Sequence, residues 1–270
     1  MRLPVVALVG LLAVRLATAA APAHAIHRGS DAPIGSYRFM VSLRLSETPD
    51  SHRCGGTLIK PDIVLTAAHC VAGIAQRGVV AVVGSDVDEW PTSPRISTLA
   101  HEVPKAFAPR YDNRHDVAVL RLAVPQVTSG IRLATGEPRV GTRVVTAGWG
   151  CTSPPPTCTA RATSLQASAQ IVLRDRSCGR DVFWTRPTYY DRTNICTKGV
   201  RPRSTVNRGD SGGPLLVRDR RGVLRQVGVT ALVSDSTTKL YAGFTSIPVE
   251  RKWIEAAIRS LSTSAAPSAA

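Results

Sequence analysis

Apolar positions along this chain fall in short runs rather than in helical stripes. The stretches "IVLTAAHC" (63–70), "DVAVLRL" (116–122), "GTRVVTAGWG" (141–150) and "GVTALVSDS" (228–236) are rich in small and β-branched residues, and 21 glycines and 19 prolines punctuate the sequence. That spacing predicts strands joined by turns, an all-β chain. Helical spacing appears only near the end, in "IPVERKWIEAAIRSL" (247–261), where Ile247, Trp253, Ile254 and Ile258 are expected on the inward face. One other apolar run, "LPVVALVGLLAV" (3–14), follows Arg2 and precedes two A-x-A sites, Ala17-Thr18-Ala19 and Ala23-His24-Ala25. Arg15 interrupts it before it is long enough to span a bilayer. The pattern predicts a secretory signal peptide over residues 1–25 and a secreted, extracellular protein with no membrane span.

With 270 residues and 43% hydrophobic content, the chain can bury the core of one large domain or two small ones. In a secreted protein its six cysteines, Cys54, Cys70, Cys151, Cys158, Cys178 and Cys196, read as disulfides. Sequential pairing is the simplest arrangement, and no C-x-x-C pair argues for a metal, so neither metal nor cofactor is expected. The formal net charge of +15 implies attraction to anionic polymers. Without aromatic residues interleaved among the arginines, or any helix-turn-helix or finger spacing, specific nucleic-acid binding is not expected.

Candidate chemistry sits at three places. His69 follows a β-branched run and adjoins Cys70, whose disulfide would hold the backbone of a general base still. Asp116 leads into an alternating strand, where it reads either as a turn cap or as the buried partner of a histidine. Ser211 lies in "NRGDSGGP" (207–214), which also contains the adhesion-like tripeptide Arg208-Gly209-Asp210. The flanking glycines permit a turn whose N–H groups converge on one point, as an oxyanion hole requires.

The segments "TAAHC", "DVAVL" and "GDSGGP" together resemble the three catalytic segments of the chymotrypsin/trypsin-like serine proteases, of the secreted, bacterial type. "GTRVVTAGWG" resembles the strand before that family's second-barrel loop. The resemblance runs from Ile26 to about Leu261. It implies two antiparallel six-stranded β-barrels packed perpendicular, with a C-terminal α-helix. The expected division is an N-terminal barrel over 26–128, a C-terminal barrel with the helix over 129–262, and a disordered tail over 263–270.

Roles are implied residue by residue. Ser211 would attack the scissile carbonyl, His69 would carry the proton, and Asp116 would orient the imidazole. Backbone N–H groups of Gly209 and Ser211 would stabilise the oxyanion, each worth about 3 kcal/mol in the barrier. A newly exposed α-amino group on Ile26 would pair with buried Asp210, which makes the RGD tripeptide a coincidence. Cleavage after Ala25 would expose that amine directly, whereas cleavage after Ala19 would leave "AAPAHA" to be trimmed.

The primary pocket departs from the trypsin pattern. Thr205 and Val206 would form its base, with Val233 and Ala242 on the walls, so the acidic residue that selects Arg or Lys is missing and small or aliphatic residues are expected. Asn207 stands where the family has a cysteine, which predicts pocket loops without their usual staple. The expected function is a secreted serine endopeptidase acting on protein or peptide substrates as a monomer, open to protein inhibitors. A catalytically weak or silent binding protein on the same fold is the alternative.

Overall fold

The computed structural model describes residues 26–107, 114–155, 157–178, 192–234 and 240–263. Residues 1–25, expected to be a signal peptide, and residues 264–270 of the expected tail lie outside them. A two-residue strand, β1 (Ser30–Asp31), precedes twelve longer ones. The first six of these are β2 (Met40–Leu45), β3 (Cys54–Lys60), β4 (Ile63–Thr66), β5 (Val79–Val83), β6 (Ile96–Glu102) and β7 (Ala118–Leu122). They pair antiparallel in the closed order β2-β3-β4-β7-β6-β5. Met40, Leu43, Leu58, Leu65 and Leu120 are almost wholly buried in this half. Each such side chain contributes roughly 1.5–3 kcal/mol relative to exposure.

The second set comprises β8 (Arg143–Gly148), β9 (Gln166–Val172), β10 (Asn194–Gly199), β11 (Pro214–Arg218), β12 (Leu224–Val233) and β13 (Tyr241–Ser246). Its order is β9-β10-β13-β12-β11-β8, and the pairing of β8 with β9 closes it into a second six-stranded barrel. Val144, Ile195, Leu215, Val227 and Phe244 fill it. Register shifts at Leu58/Lys60, Thr98/Ala100, Leu215/Leu216 and Thr230/Leu232 bend the strands, as closure requires. Full closure also removes the exposed edges of two open sheets.

The chain ends are exchanged between the halves. β1 pairs with β9, so the N-terminal segment joins the second barrel's sheet. The helix α1 (Ile247–Thr263) follows the second barrel and packs against β6 and β7 of the first as well as β12 and β13. Ile247, Ile254, Ala257, Ile258 and Leu261 are buried, and Trp253 packs half-buried at the rim of the same cluster. Polar contacts pin the helix to the first barrel: Arg121 Nη1 donates to the Leu261 carbonyl (2.8 Å), His115 Nδ1 donates to Glu250 Oε1 (2.7 Å), and Ser260 Oγ donates to Glu102 Oε1 (3.0 Å). Disulfides join Cys54 to Cys70, Cys151 to Cys158 and Cys178 to Cys196.

Candidate active site

Strand register brings the three candidate residues together. In the antiparallel pair β4–β7, Thr66 lies opposite Ala118. His69, three residues past Thr66, and Asp116, two residues before Ala118, therefore project beyond the same end of the ladder. His69 sits on a single 3-10 turn (Ala68–Cys70), and the Cys54–Cys70 disulfide ties that turn to the start of β3. At this end of β3 the Gly55 N–H donates to the Ser211 carbonyl (2.7 Å), and Thr66 Oγ1 donates to the Gly55 carbonyl (2.7 Å). One strand end thus carries the His69 turn, the approach to Asp116 and the anchor of the Ser211 loop.

Asp116 is fully buried, and His69 engages both of its carboxylate oxygens. The His69 backbone N–H donates to Oδ1 (2.9 Å) and its Nδ1 to Oδ2 (2.7 Å). Because a carboxylate accepts, Nδ1 carries the hydrogen, and the Nε2 lone pair is left to take a proton. Burial alone would lower the His69 pKa, and the Arg53 charge works the same way. The charge and hydrogen bond of Asp116 outweigh both, so the net shift is upward from 6.5. Thr245 Oγ1 donates to the Asp116 carbonyl (2.9 Å), fixing this segment against β13.

The Ser211 loop is shaped by glycine. Gly209 and Gly212 have φ of 96° and 79°, values that L side chains rarely adopt. A Cβ on Gly212 would also collide with Thr66 Oγ1 and the Gly55 carbonyl. Among the described residues, the N–H groups of Gly209 and Ser211 find no protein acceptor, whereas those of Asp210, Gly212 and Gly213 do. Two free donors on one tight turn form the geometry of an oxyanion hole.

Asp210 lies between them in sequence and is fully buried, while Arg208 is exposed, so the RGD tripeptide does not present its carboxylate to solvent. Its oxygens accept N–H bonds from Gly150 and Asn207, both at 2.8 Å. A Cβ on Gly148 or Gly150 would overlap this carboxylate, which accounts for both glycines of the "AGWG" run. Burial pushes the Asp210 pKa up to about 7, against the two N–H bonds, and no side-chain cation among the described residues pairs with it. Ile26 is fully buried, and the residue after it, His27, bridges Thr205 on the segment leading to Asp210: the Thr205 N–H donates to the His27 carbonyl (3.1 Å).

Of the four residues assigned to the substrate pocket, Val206 and Ala242 are buried in one cluster with Val233 packed against it, and Val233 lies opposite Ala242 in the sheet. Thr205 is fully buried, and among the described residues its hydroxyl has no hydrogen-bond partner. Asn207, which stands where the family has a cysteine, donates its side-chain amide to the carbonyls of Ser153 (2.7 Å) and Thr157 (3.3 Å), so the loop before Ser211 is tied to the Cys151–Cys158 loop by hydrogen bonds.

Sequence reasoning missed His52. Its Nε2 lies 2.9 Å from the Gly209 carbonyl, which can only accept, so Nε2 carries the hydrogen and Nδ1 accepts from Ser42 Oγ (2.8 Å). Burial lowers its pKa to about 4, a Gly209 hydrogen bond opposing and Arg161 and Arg44 assisting. The neutral ring therefore holds the Gly209–Asp210 peptide by its carbonyl, and the Gly209 N–H belongs to the preceding peptide. Trp90 stacks on it and Trp149 meets it edge-on, at centroid distances of 5.6 and 5.8 Å. Its place two residues before Cys54 was the one available signal. Among the described residues, Cys54, His69 and Cys70 cluster closely enough to suggest a metal, but both sulfurs are in the disulfide.

Two closed six-stranded barrels, with a histidine–aspartate pair and a serine on a glycine turn where they meet, define the chymotrypsin-like class of serine endopeptidases. The Trypsin family model matches residues 26–254, and the chain belongs to that family. It is 30% identical over 241 residues to a trypsin of Sarcophaga bullata, covering 87% of this chain and 90% of that protein. It is also 30% identical over 241 residues to trypsin theta of Drosophila melanogaster, covering 84% and 83%. Among solved structures, neuropsin, a serine protease expressed in the limbic system of mouse brain, superposes with a TM-score of 0.71 at 21% identity, over 86% of this chain and all of that one.

The Asp210 environment predicts how the uncleaved chain responds to pH. Between 3.8, its ordinary value, and about 7, the folded state holds a proton that the unfolded state has released. Stability should therefore be greatest below this window and fall by a few kcal/mol as pH rises through it. Urea unfolding at closely spaced pH values measures this, with Asp210→Asn flattening the slope.

Proposed function

We propose that the protein is a secreted endopeptidase in which Ser211 is the nucleophile, His69 the general base and then acid, and Asp116 the group that fixes the histidine's tautomer. The observation that carries this reading is the two-point grip of Asp116 on His69 beside a serine turn with two free N–H donors. The serine oxygen attacks the substrate carbonyl as His69 Nε2 takes its proton. The oxyanion that forms is met by the N–H groups of Gly209 and Ser211. The imidazolium, stabilised by Asp116, then protonates the leaving amine, and a water repeats the sequence on the acyl-enzyme.

Cleavage after Ala25 supplies the missing cation for Asp210 as the α-amino group of Ile26. Burial of Ile26 and the bridge between His27 and Thr205 support this, because they lay the new N-terminus along the loop that contains Asp210. The apolar run at residues 3–14 and the three disulfides support export to an oxidising compartment. Among the described residues no helix is long and apolar enough to cross a membrane.

Of Thr205, Val206, Val233 and Ala242, which we assign to the primary pocket, three are fully buried and none is charged, so a substrate side chain admitted there meets a tight, neutral surround that favours small or aliphatic groups. An Arg or Lys entering it would leave a buried cation without a carboxylate.

Three outcomes test these assignments. Intact mass of the secreted protein should show a chain starting at Ile26 that gains one fluorophosphonate adduct, lost in Ser211→Ala. A chain starting at Ala20 would contradict direct maturation, and a chain starting at Ile26 without an adduct would make this a silent binding protein. The acidic limb of kcat/KM should have its midpoint above pH 6.5, since His69 must lose its proton to act and Asp116 raises its pKa. Asp116→Asn should lower kcat about 10⁴-fold and shift that limb downward. In a peptide library, Ala or Val before the cut should exceed Arg by on the order of 100-fold in kcat/KM, and Thr205→Asp should narrow the gap.

A further inference from the structure

Beside the oxyanion loop lies a second cavity, of ≈ 600 Å³, whose lining includes Arg44, Asp50, His52, Trp90, Arg95 and Arg161. Its chemistry is unlike that of the substrate pocket. Arg44 is only 1% exposed, yet it lies on a barrel strand, where a cation needs compensation. Its Nε donates to Ser42 Oγ (3.3 Å), its Nη1 to the Pro49 carbonyl (2.8 Å), and its guanidinium carbon stands 4.4 Å from the Trp90 ring centroid. Among the described residues, Nη2 is buried without a hydrogen-bond partner, and Arg161 donates to the His52 carbonyl (3.4 Å).

The single carboxylate in the lining, Asp50, pairs with Arg95 and is itself 83% exposed. Among the described residues no carboxylate forms an ion pair with Arg44 or Arg161. Three guanidiniums and one carboxylate leave two positive charges in excess around one concave space. Burial lowers the Arg44 pKa, as does the Arg95 charge, against the opposing charge of Asp50.

We propose that this cavity is a binding site for a small oxyanion of the phosphate, sulfate or carboxylate class, held by Arg44 and Arg161. The anion supplies the counter-charge that Arg44 lacks, and the exposed Arg161 guanidinium offers the paired N–H donors that match an oxyanion. The site is connected to the reaction centre. Arg44 Nε contacts Ser42 Oγ, Ser42 bonds His52 Nδ1, and His52 Nε2 holds the Gly209 carbonyl. An anion that offsets the two arginines around His52 thereby steadies Gly209, whose own N–H lies on the preceding peptide and is one of the two donors assigned to the oxyanion.

The test uses the full secreted Ser211→Ala protein, which cannot cut itself, so its result is independent of the catalytic roles assigned above. Inorganic phosphate, sulfate and acetate are titrated calorimetrically at constant ionic strength, with chloride as the balancing anion. One saturable site per chain is expected, and Arg161→Gln, whose thermal midpoint confirms folding, should weaken it about tenfold or more. Arg44→Met should abolish it. If that variant fails to fold, Arg161→Gln alone decides. Preference for phosphate and sulfate over acetate would identify a tetrahedral ligand, and the reverse a carboxylate. Non-saturating heats, or equal affinity with and without Arg161, would place the binding on the general cationic surface and overturn the proposal.

Discussion

At Gly55 the backbones of the two barrels touch. A Cβ there would come within 3.1 Å of the Gly213 Cα and nitrogen, and a Cβ on Gly212 would strike Gly55 and Thr66 from the other side. Three small positions therefore let a strand of the first barrel donate directly to the Ser211 carbonyl. The rest of the site depends on that approach. Because β3 and β4 are neighbours, the same strand ends also carry the His69 turn, and β4's other neighbour, β7, carries Asp116. The proposed reaction, which requires three groups held to a fraction of an ångström, would thus be built on ladder hydrogen bonds rather than on loop conformation alone.

Buried charge is handled in three ways around this contact. Asp116 is compensated by two N–H donors from the residue it serves. Asp210 has two backbone donors and a pKa near neutrality, a carboxylate held in reserve for a cation. Arg44 is screened by an aromatic face and two neutral acceptors, with one nitrogen left over. Low-dielectric surroundings make each incomplete arrangement costly, and such places are where a terminus or a ligand has leverage.

Much of this was legible in the sequence, and unevenly so. His69, Asp116 and Ser211 each carry a local context, a cysteine neighbour, an alternating strand or flanking glycines, so short-range pattern was enough to single them out. Strand content was legible from β-branched runs, but closure into two barrels came only through family resemblance, because register is a long-range property that no window of residues displays. His52 escaped for the same reason: the bond that gives it meaning spans 157 positions. Asn207 was noticed as a missing cysteine, yet its amide makes two bonds to the Cys151–Cys158 loop, and a side chain's donors are silent until the facing carbonyls are known. Trp253 was placed inward and lies at the rim, since helical spacing gives a direction and not a depth.

The exchange of chain ends has a consequence for how such an enzyme comes into being. The first strand is completed by the second barrel, and the last helix closes over the first, pinned by Glu250 to the residue next to Asp116. Each barrel closes from its own six strands, yet neither is fully covered by its own stretch of chain. The half that emerges first waits, with its helix-facing apolar surface open, until the final residues arrive. A polypeptide able to cut others is in this way assembled last-piece-last, and any truncated product leaves the ribosome without the brace behind its aspartate.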